Sequence, residues 1–219
     1  MKYSAVIFDM DGVIFDSERV YMECCIKAAE KFGAENVEEV VRKCIGVTNE
    51  MTMQILREFF GADFPVDDYW KASIGYFWDF YNEHGALPMK KGVVEALTYL
   101  KEKGYPLAIA SSTKTETVTK QLTDAGIVDF FTLIVGGNMV SRSKPAPDIF
   151  LLAAERLGEK PEHCLVVEDS PSGVRAGRAA GMTVCMIPDL APCTEELRPY
   201  CDLVLPSLDD LADRLTAKA

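Results

Sequence analysis

Residues 163–181 read HCLVVEDSPSGVRAGRAAG. Cys164 to Val167 is an apolar run with no polar alternation, the pattern of a strand buried on both faces in a parallel sheet. Glu168 and Asp169 close the run. Pro171 then stands at a first-turn position, where its missing N–H is no loss, and Gly181 ends the helix that follows. One buried strand feeding one helix through a short turn is half of a βαβ unit. The same unit recurs in both directions along the chain. Strand-like runs at Ser4–Phe8, Tyr105–Ala110, Phe131–Val135, Thr183–Ile187 and Asp202–Leu205 accompany helical stretches at Val93–Lys103, Thr115–Ala125 and Pro147–Leu157, with Gly104, Gly126 and Gly158 just past their ends. Thr113-Lys114-Thr115-Glu116 has the spacing of a capping box. The expected fold is α/β, a doubly wound, Rossmann-like parallel sheet.

The alternation breaks once. From Ser17 to His84 there is no convincing strand, but helical periodicity runs through Val20 to Phe32, Val37 to Cys44, Met51 to Phe60 and Val66 to Tyr81. This predicts an α/β core of residues 1–16 and 85–219 with an all-helical domain, residues 17–84, inserted after the first strand. Such an insertion lies over the carboxyl ends of the strands, where doubly wound sheets bind ligands, and is placed to act as a lid.

Composition narrows the partners. The chain has 219 residues, with 23 Lys and Arg against 34 Asp and Glu, a formal charge of −11. That excess of acid argues against nucleic acid and against anionic membrane surfaces, both of which attract basic proteins. The apolar segment after Met1-Lys2-Tyr3 is too short for a secretory signal, and no apolar run approaches the roughly 20 residues of a bilayer-spanning helix, so a cytoplasmic protein is expected. Seven cysteines form no Cys-x-x-Cys pair, and their odd number suits free thiols in a reducing compartment.

The residues able to do chemistry fall at predicted strand ends. Asp9-Met10-Asp11-Gly12 follows the first strand, and its spacing puts two carboxylates on one side if the strand geometry continues. Asp and Gly also favour turns. A calcium loop is excluded, because its fifth and sixth positions hold Val13 and Ile14. Glu168 and Asp169 close another strand, where acids also suit the positive end of the next helix. Together with Asp9 and Asp11 they bring four acidic groups to one edge, which repel unless a cation sits among them. Oxygen ligands alone favour a hard ion, and Mg2+ suits a site that also holds a phosphate. Ser111 and Ser112, followed by Thr113 and Lys114, open a helix after the second strand and can face an anion, or merely cap the helix. Lys144 precedes Pro145 in the loop after the third strand, which sets it in extended conformation; a lysine in a loop is also often only solvated.

With these motifs in view, the sequence resembles the haloacid dehalogenase superfamily of phosphohydrolases, in the branch with a helical cap after the first strand. FDMDGVIFDSE (8–18), ASST (110–113), SKPAPDIF (143–150) and VVEDSPSGVRAGRAAG (166–181) occur in the family order and span nearly the whole chain. The resemblance implies that Asp9 is the nucleophile and Asp11 the general acid/base. It makes Ser111 and Lys144 phosphate contacts, and Glu168 and Asp169 metal ligands together with Asp9 and the backbone carbonyl of Asp11. It also implies a substrate loop at Gly46-Val47-Thr48-Asn49-Glu50, with Gly46 and Asn49 as candidate contacts.

The expected function is Mg2+-dependent hydrolysis of a small phosphorylated metabolite, a sugar phosphate, through an aspartyl-phosphate, by a monomeric enzyme. Asp11 argues against carbon–halogen cleavage, since the dehalogenases lack an acid/base carboxylate at that position, and no cap lysine signals phosphonate cleavage. A mutase of the β-phosphoglucomutase type is the enzymatic alternative. Those mutases carry Arg where this chain has Asn49 and His where it has Tyr21, so transfer from Asp9 is expected to end on water. A phosphosugar-binding sensor is the alternative without turnover. The aromatics Tyr69-Trp70 and Tyr76 to Tyr81 can stack on a sugar, but are expected mainly to pack the insertion.

Overall fold

The computed structural model describes residues 3–47 and 49–216; Thr48, in the expected substrate loop, lies outside them. Six strands form one parallel sheet: β1 (Ala5–Phe8), β2 (Leu107–Ser111), β3 (Leu133–Gly136), β4 (Cys164–Glu168), β5 (Thr183–Met186) and β6 (Leu203–Val204). Their order is β3-β2-β1-β4-β5-β6. β1 is therefore the switch point, with β2 on one side and β4 on the other, and the crevice beyond its carboxyl end is where this topology binds ligands.

The absence of alternation in the strands has its reason in burial on both faces. Val6, Phe8, Leu107, Ile109, Leu165 and Val167 point to one side and meet α5 (Val93–Glu102), α6 (Thr115–Asp124) and α9 (Asp209–Thr216). Ala5, Ile7, Ala108, Ala110, Cys164 and Val166 point to the other and meet α7 (Asp148–Leu157) and α8 (Pro171–Ala179). Cys164 and Cys185 are packed as small hydrophobes. The predicted elements reappear with shifted ends. β3 starts at Leu133 because residues 128–130 form a 3-10 turn, and Pro147 precedes α7 as its cap residue instead of lying in its first turn. α9 was not anticipated from the sequence; buried Leu211, with buried Leu208 just before the helix, packs it into the sheet's cluster.

Between β1 and β2 lie four helices, α1 (Ser17–Phe32), α2 (Val37–Lys43), α3 (Asn49–Phe60) and α4 (Val66–His84). They share a hydrophobic cluster of their own, including Met22, Cys25, Ala28, Val40, Val41, Leu56 and Tyr69. Their two connections to the sheet run side by side. Phe15 and Met89 form an antiparallel bridge, the Asp16 N–H donates to Pro88 O at 2.8 Å, and the Lys90 N–H donates to Ile14 O at 2.9 Å. α4 belongs to both cores. Tyr69, Trp70 and Tyr76 pack with the helical cluster, whereas Phe77, Trp78 and Tyr81 pack against the sheet's cluster. Tyr81 is buried and its hydroxyl donates to Asp124 on α6. The aromatic run is thus mainly packing, as expected.

Tyr81 is the anchor of that second half, so Tyr81→Ala is expected to destabilise the protein by about 3–5 kcal/mol. Urea unfolding followed by the fluorescence of Trp78, whose ring lies 5.4 Å from Tyr81, measures it. A shift below about 1 kcal/mol would show that α4 is held by the helical cluster alone.

Candidate active site

The site is built where three adjacent strands end. Asp9 leaves β1 still paired to β4, its N–H donating to Val167 O at 2.9 Å. Ser111 is the last residue of β2 and Glu168 the last of β4. Lys144 enters from the loop before α7, preceding a cis peptide to Pro145, and is 7% exposed. Its ammonium donates to Asp9 Oδ1 at 2.6 Å, to Glu168 Oε1 at 2.7 Å and to Ala110 O at 3.0 Å. It is not a solvated loop lysine. Burial works to lower its pKa, but Asp9 and Glu168 outweigh burial and hold it above the usual lysine range.

Glu168 is fully engaged. Its second oxygen accepts the N–H groups of Asp169 and Ser170, both at 2.9 Å, and the Ser170 hydroxyl at 3.0 Å. Ser170 Oγ in turn accepts the Gly173 N–H at 3.0 Å as the N-cap of α8. The same carboxylate therefore holds Lys144 and fixes the start of α8. Gly173 must be glycine for this: a Cβ there would stand 1.7 Å from Glu168 Oε1. Gly12, at φ 76°, has a Cβ position only 2.2 Å from Asp169 Oδ2.

Asp169 differs from Glu168. It is 1% exposed, and its Oδ2 finds no hydrogen-bond donor among the described residues. Burial is the largest influence on its carboxyl, followed by Glu168 and Asp9, and all raise its pKa. Ligand oxygens of Asp9, Glu168 and Asp169 lie within 4.8 Å of one another. A buried carboxylate oxygen without a donor, in an all-oxygen set, fits a divalent hard cation. The Asp11 carboxylate is not in this group, so any share it has in a metal site falls to its backbone.

Asp11 is surrounded by hydroxyls. Ser17 Oγ donates to its Oδ1 at 2.8 Å, and Thr113 Oγ1 and Ser111 Oγ donate to its Oδ2 at 3.0 and 3.4 Å. The chain turns sharply after Asp9, with the N–H groups of Ile14 and Phe15 both donating to Met10 O, so Asp9 and Asp11 reach different partners at the same edge. The expected capping box does not form. Thr113 is drawn to Asp11, and the N–H of Thr115 is taken by Asn138 Oδ1 at 2.9 Å. Ser112 is exposed, as is Asn49 at the first position of α3. Gly46 does come to the site's edge: its carbonyl accepts the Ser172 hydroxyl. Ser17 was not singled out from the sequence, and Thr113 was read as a cap or an anion-facing hydroxyl and not as a partner of Asp11, since a hydroxyl at a helix start reads first as a cap.

A doubly wound sheet with a lysine between two carboxylates at its switch point suits a protein of phosphoryl-group chemistry, where negative charge has to be neutralised. The chain belongs to the haloacid dehalogenase-like hydrolases, whose family pattern matches residues 6–187. It is 36% identical over 178 residues to a Thermotoga maritima protein named phosphorylated carbohydrates phosphatase, covering 81% of this chain and 82% of that one. It is 32% identical to a Drosophila melanogaster protein named probable pseudouridine-5'-phosphatase, over 95% of this chain and 91% of that one. Among solved structures, that of a putative β-phosphoglucomutase from Thermotoga maritima superposes with a TM-score of 0.78 at 31% identity, covering 99% of this chain and 100% of the other.

Lys144→Met leaves Asp9 and Glu168 as facing buried carboxyls without their cation, and is expected to cost about 3–5 kcal/mol in metal-free urea unfolding. Millimolar Mg2+ is expected to restore part of the loss by binding the folded state. A variant as stable as the wild type without metal would show that the ion pair is not what holds the strand ends together.

Proposed function

We propose that the protein is a Mg2+-dependent phosphatase that hydrolyses a small sugar phosphate through an aspartyl-phosphate on Asp9. The observation that carries this reading is the Lys144 ammonium clamped between Asp9 and Glu168 beside the donor-less oxygen of Asp169. A phosphate monoester resists a carboxylate nucleophile because both are anionic, so the chief demands are positioning and charge neutralisation. Lys144 meets them from one side. Asp9, Asp169 and Glu168 would hold the cation, which supplies Lewis-acid charge neutralisation when bound.

In this reading Asp9 attacks phosphorus, the bond to the ester oxygen breaks, and Asp11 gives its proton to the departing alkoxide. Asp11 then takes a proton from water as that water attacks the aspartyl-phosphate, releasing inorganic phosphate and restoring both carboxyls. The hydroxyls of Ser17 and Thr113 fix Asp11 for these two transfers, which leaves the Ser111 hydroxyl free to turn to the phosphoryl group. Ser111, with Ser112 and Lys144, takes the phosphoryl oxygens. Residues 17–84 act as the cap over a core of 1–16 and 85–219, with Gly46 and Asn49 on its substrate loop. Contacts that join the helices to the sheet beside the site support this: Ser172 Oγ on Gly46 O, and Arg42 Nη1 on Leu190 O at 2.9 Å. The sugar-phosphate class rests on the Thermotoga relative, named a phosphatase of phosphorylated carbohydrates. Hydrolysis is favoured over mutase chemistry because Asn49 brings no positive charge for a second phosphate, and Tyr21 packs edge-on against Phe77, at 6.4 Å, in the helical region.

Release of inorganic phosphate from p-nitrophenyl phosphate with Mg2+, and its loss on chelation, tests the activity. Asp9→Asn is expected to lower kcat by at least about a thousandfold; a near-normal rate would sink the mechanism. Burial is the largest influence on Asp9 and pushes its carboxyl up to about 7 despite Lys144. The nucleophile must be ionised, so kcat/KM falls as pH drops through that range. A cation favours the carboxylate, so raising Mg2+ is expected to move this acid limb to lower pH. A limb that stays fixed throughout a Mg2+ titration would assign it to another group.

A further inference from the structure

The four helices between β1 and β2 are tied to the sheet by the paired connections and by the second half of α4. Two further contacts reach them from segments that follow the carboxyl ends of strands. In the loop after β5, Leu190 packs against the helices' own hydrophobic cluster; among the described residues it is the one contributor to that cluster from outside residues 17–84. Its carbonyl accepts Arg42 Nη1 of α2 at 2.9 Å, so side chain and backbone are both held. The loop itself is fixed. The Ile187 N–H donates to Glu168 O at 2.8 Å, and Asp189 Oδ1 accepts Lys90 Nζ at 2.6 Å. Leu190 is therefore carried on a loop anchored to the reaction edge.

The second contact is that of Gly46 with the start of α8. A Cβ at Gly46 would stand 2.6 Å from Ser172 Oγ and 2.7 Å from Ser170 Cβ, so the backbone of residue 46 lies directly on α8. Ser172 Oγ donates to Gly46 O and lies 3.4 Å from Ser170 Oγ, whose own proton goes to Glu168. When the Gly46 carbonyl withdraws, the Ser172 hydroxyl can turn to Ser170 Oγ, so this contact opens without leaving a donor unpaired. Leu190 has no such substitute. Parting it from the helices returns its side chain, and the cluster it covers, to water.

Asp9 and Lys144 are each 7% exposed and Ser111 is fully buried, so a phosphate ester reaches them only when the helices move. We propose that Leu190 is the latch of the cap: seated in the helical cluster, it holds the cap shut whether or not the site is occupied, and so sets how fast ligands enter and leave. The proposal rests on the cap and phosphatase readings and deepens them. A contact made equally in the empty and the occupied closed states cancels from affinity and acts on the rates. Weakening it speeds entry and exit together.

The probe is orthovanadate, a phosphate analogue, at saturating Mg2+. The onset of its inhibition of p-nitrophenyl phosphate hydrolysis gives the association rate, and recovery on dilution gives the dissociation rate. Leu190→Ala is expected to raise both rates about tenfold, the factor for roughly half the burial of a leucine, with Kd within about threefold of wild type. Leu190→Met, of similar volume, is expected to keep both rates within about threefold of wild type. Arg42→Met, at an exposed position, frees the Leu190 carbonyl and moves both rates the same way by about fivefold; it carries the test alone should Leu190→Ala fail to fold. Rates unmoved in Leu190→Ala and Arg42→Met would overturn the proposal. So would a faster dissociation alone, which weakens Kd in proportion and marks Leu190 as support for the bound state only. A wild type that already binds orthovanadate at the diffusion limit would leave nothing for a latch to hold back, and would overturn it too. A wild type without Mg2+-dependent activity on p-nitrophenyl phosphate would instead overturn the phosphatase reading itself.

Discussion

The ammonium of Lys144 between Asp9 and Glu168 is the contact on which the carboxyl edge of the sheet depends. Two carboxylates on adjacent strands repel, and burial raises that repulsion by removing water. Lys144 is the cation that lets both remain in place, donating to each within 2.7 Å. Its third bond, to the carbonyl of Ala110, ties β2 into the same knot. A residue from a distant loop therefore joins the ends of β1, β2 and β4. Glu168 passes the constraint on: one oxygen meets Lys144, and the other collects three donors from Asp169 and Ser170, which sets where α8 begins.

That constraint explains why so much of the local sequence is small. Gly173 leaves room for the Glu168 carboxylate and Gly12 for that of Asp169, at separations no Cβ can occupy. The sheet lies at full packing density beneath them, with every residue of β1, β2 and β4 buried. The helical region meets this rigid edge through its paired connections, where Lys90 bonds Asp189, and through the second half of α4, which belongs to the sheet's own core. Any motion of the helices relative to the sheet has to pivot about those contacts, not about a free linker.

Much of this was legible in the sequence, for stated physical reasons. Buried strands and Gly-ended helices announce a doubly wound sheet, and residues at strand ends such as Asp9 and Glu168 are brought together by topology alone, with Lys144 supplied from the loop before α7. What was not legible depends on competition between partners. Thr113-x-x-Glu116 satisfies the spacing of a capping box, yet the Thr113 hydroxyl has a charged acceptor in Asp11, a stronger partner than a backbone N–H, and Asn138 from a remote loop takes over the N–H of Thr115. Ser17 was hidden in the same way. Asp189 gave no signal, because an acid in a proline-flanked loop is an ordinary surface residue until the fold covers its side chain.

The acid excess of the chain acquires a different meaning at the site. Asp9, Asp11, Glu168 and Asp169 converge on an edge where Lys144 is the cation bonded to Asp9 and Glu168. Such a set cannot all be ionised without counter-charge, and Asp9 and Asp169 both have carboxyls raised first by burial and then by neighbouring acids, Glu168 among them. Protons and a metal cation are thus competing solutions to the same excess of charge. The long-range field of a −11 protein matters little to an anionic substrate, since ionic screening cuts it off beyond about 8 Å. Inside that distance Lys144 alone is outnumbered. The fold therefore presents an acidic edge whose affinity for a phosphate dianion depends on what else is bound there.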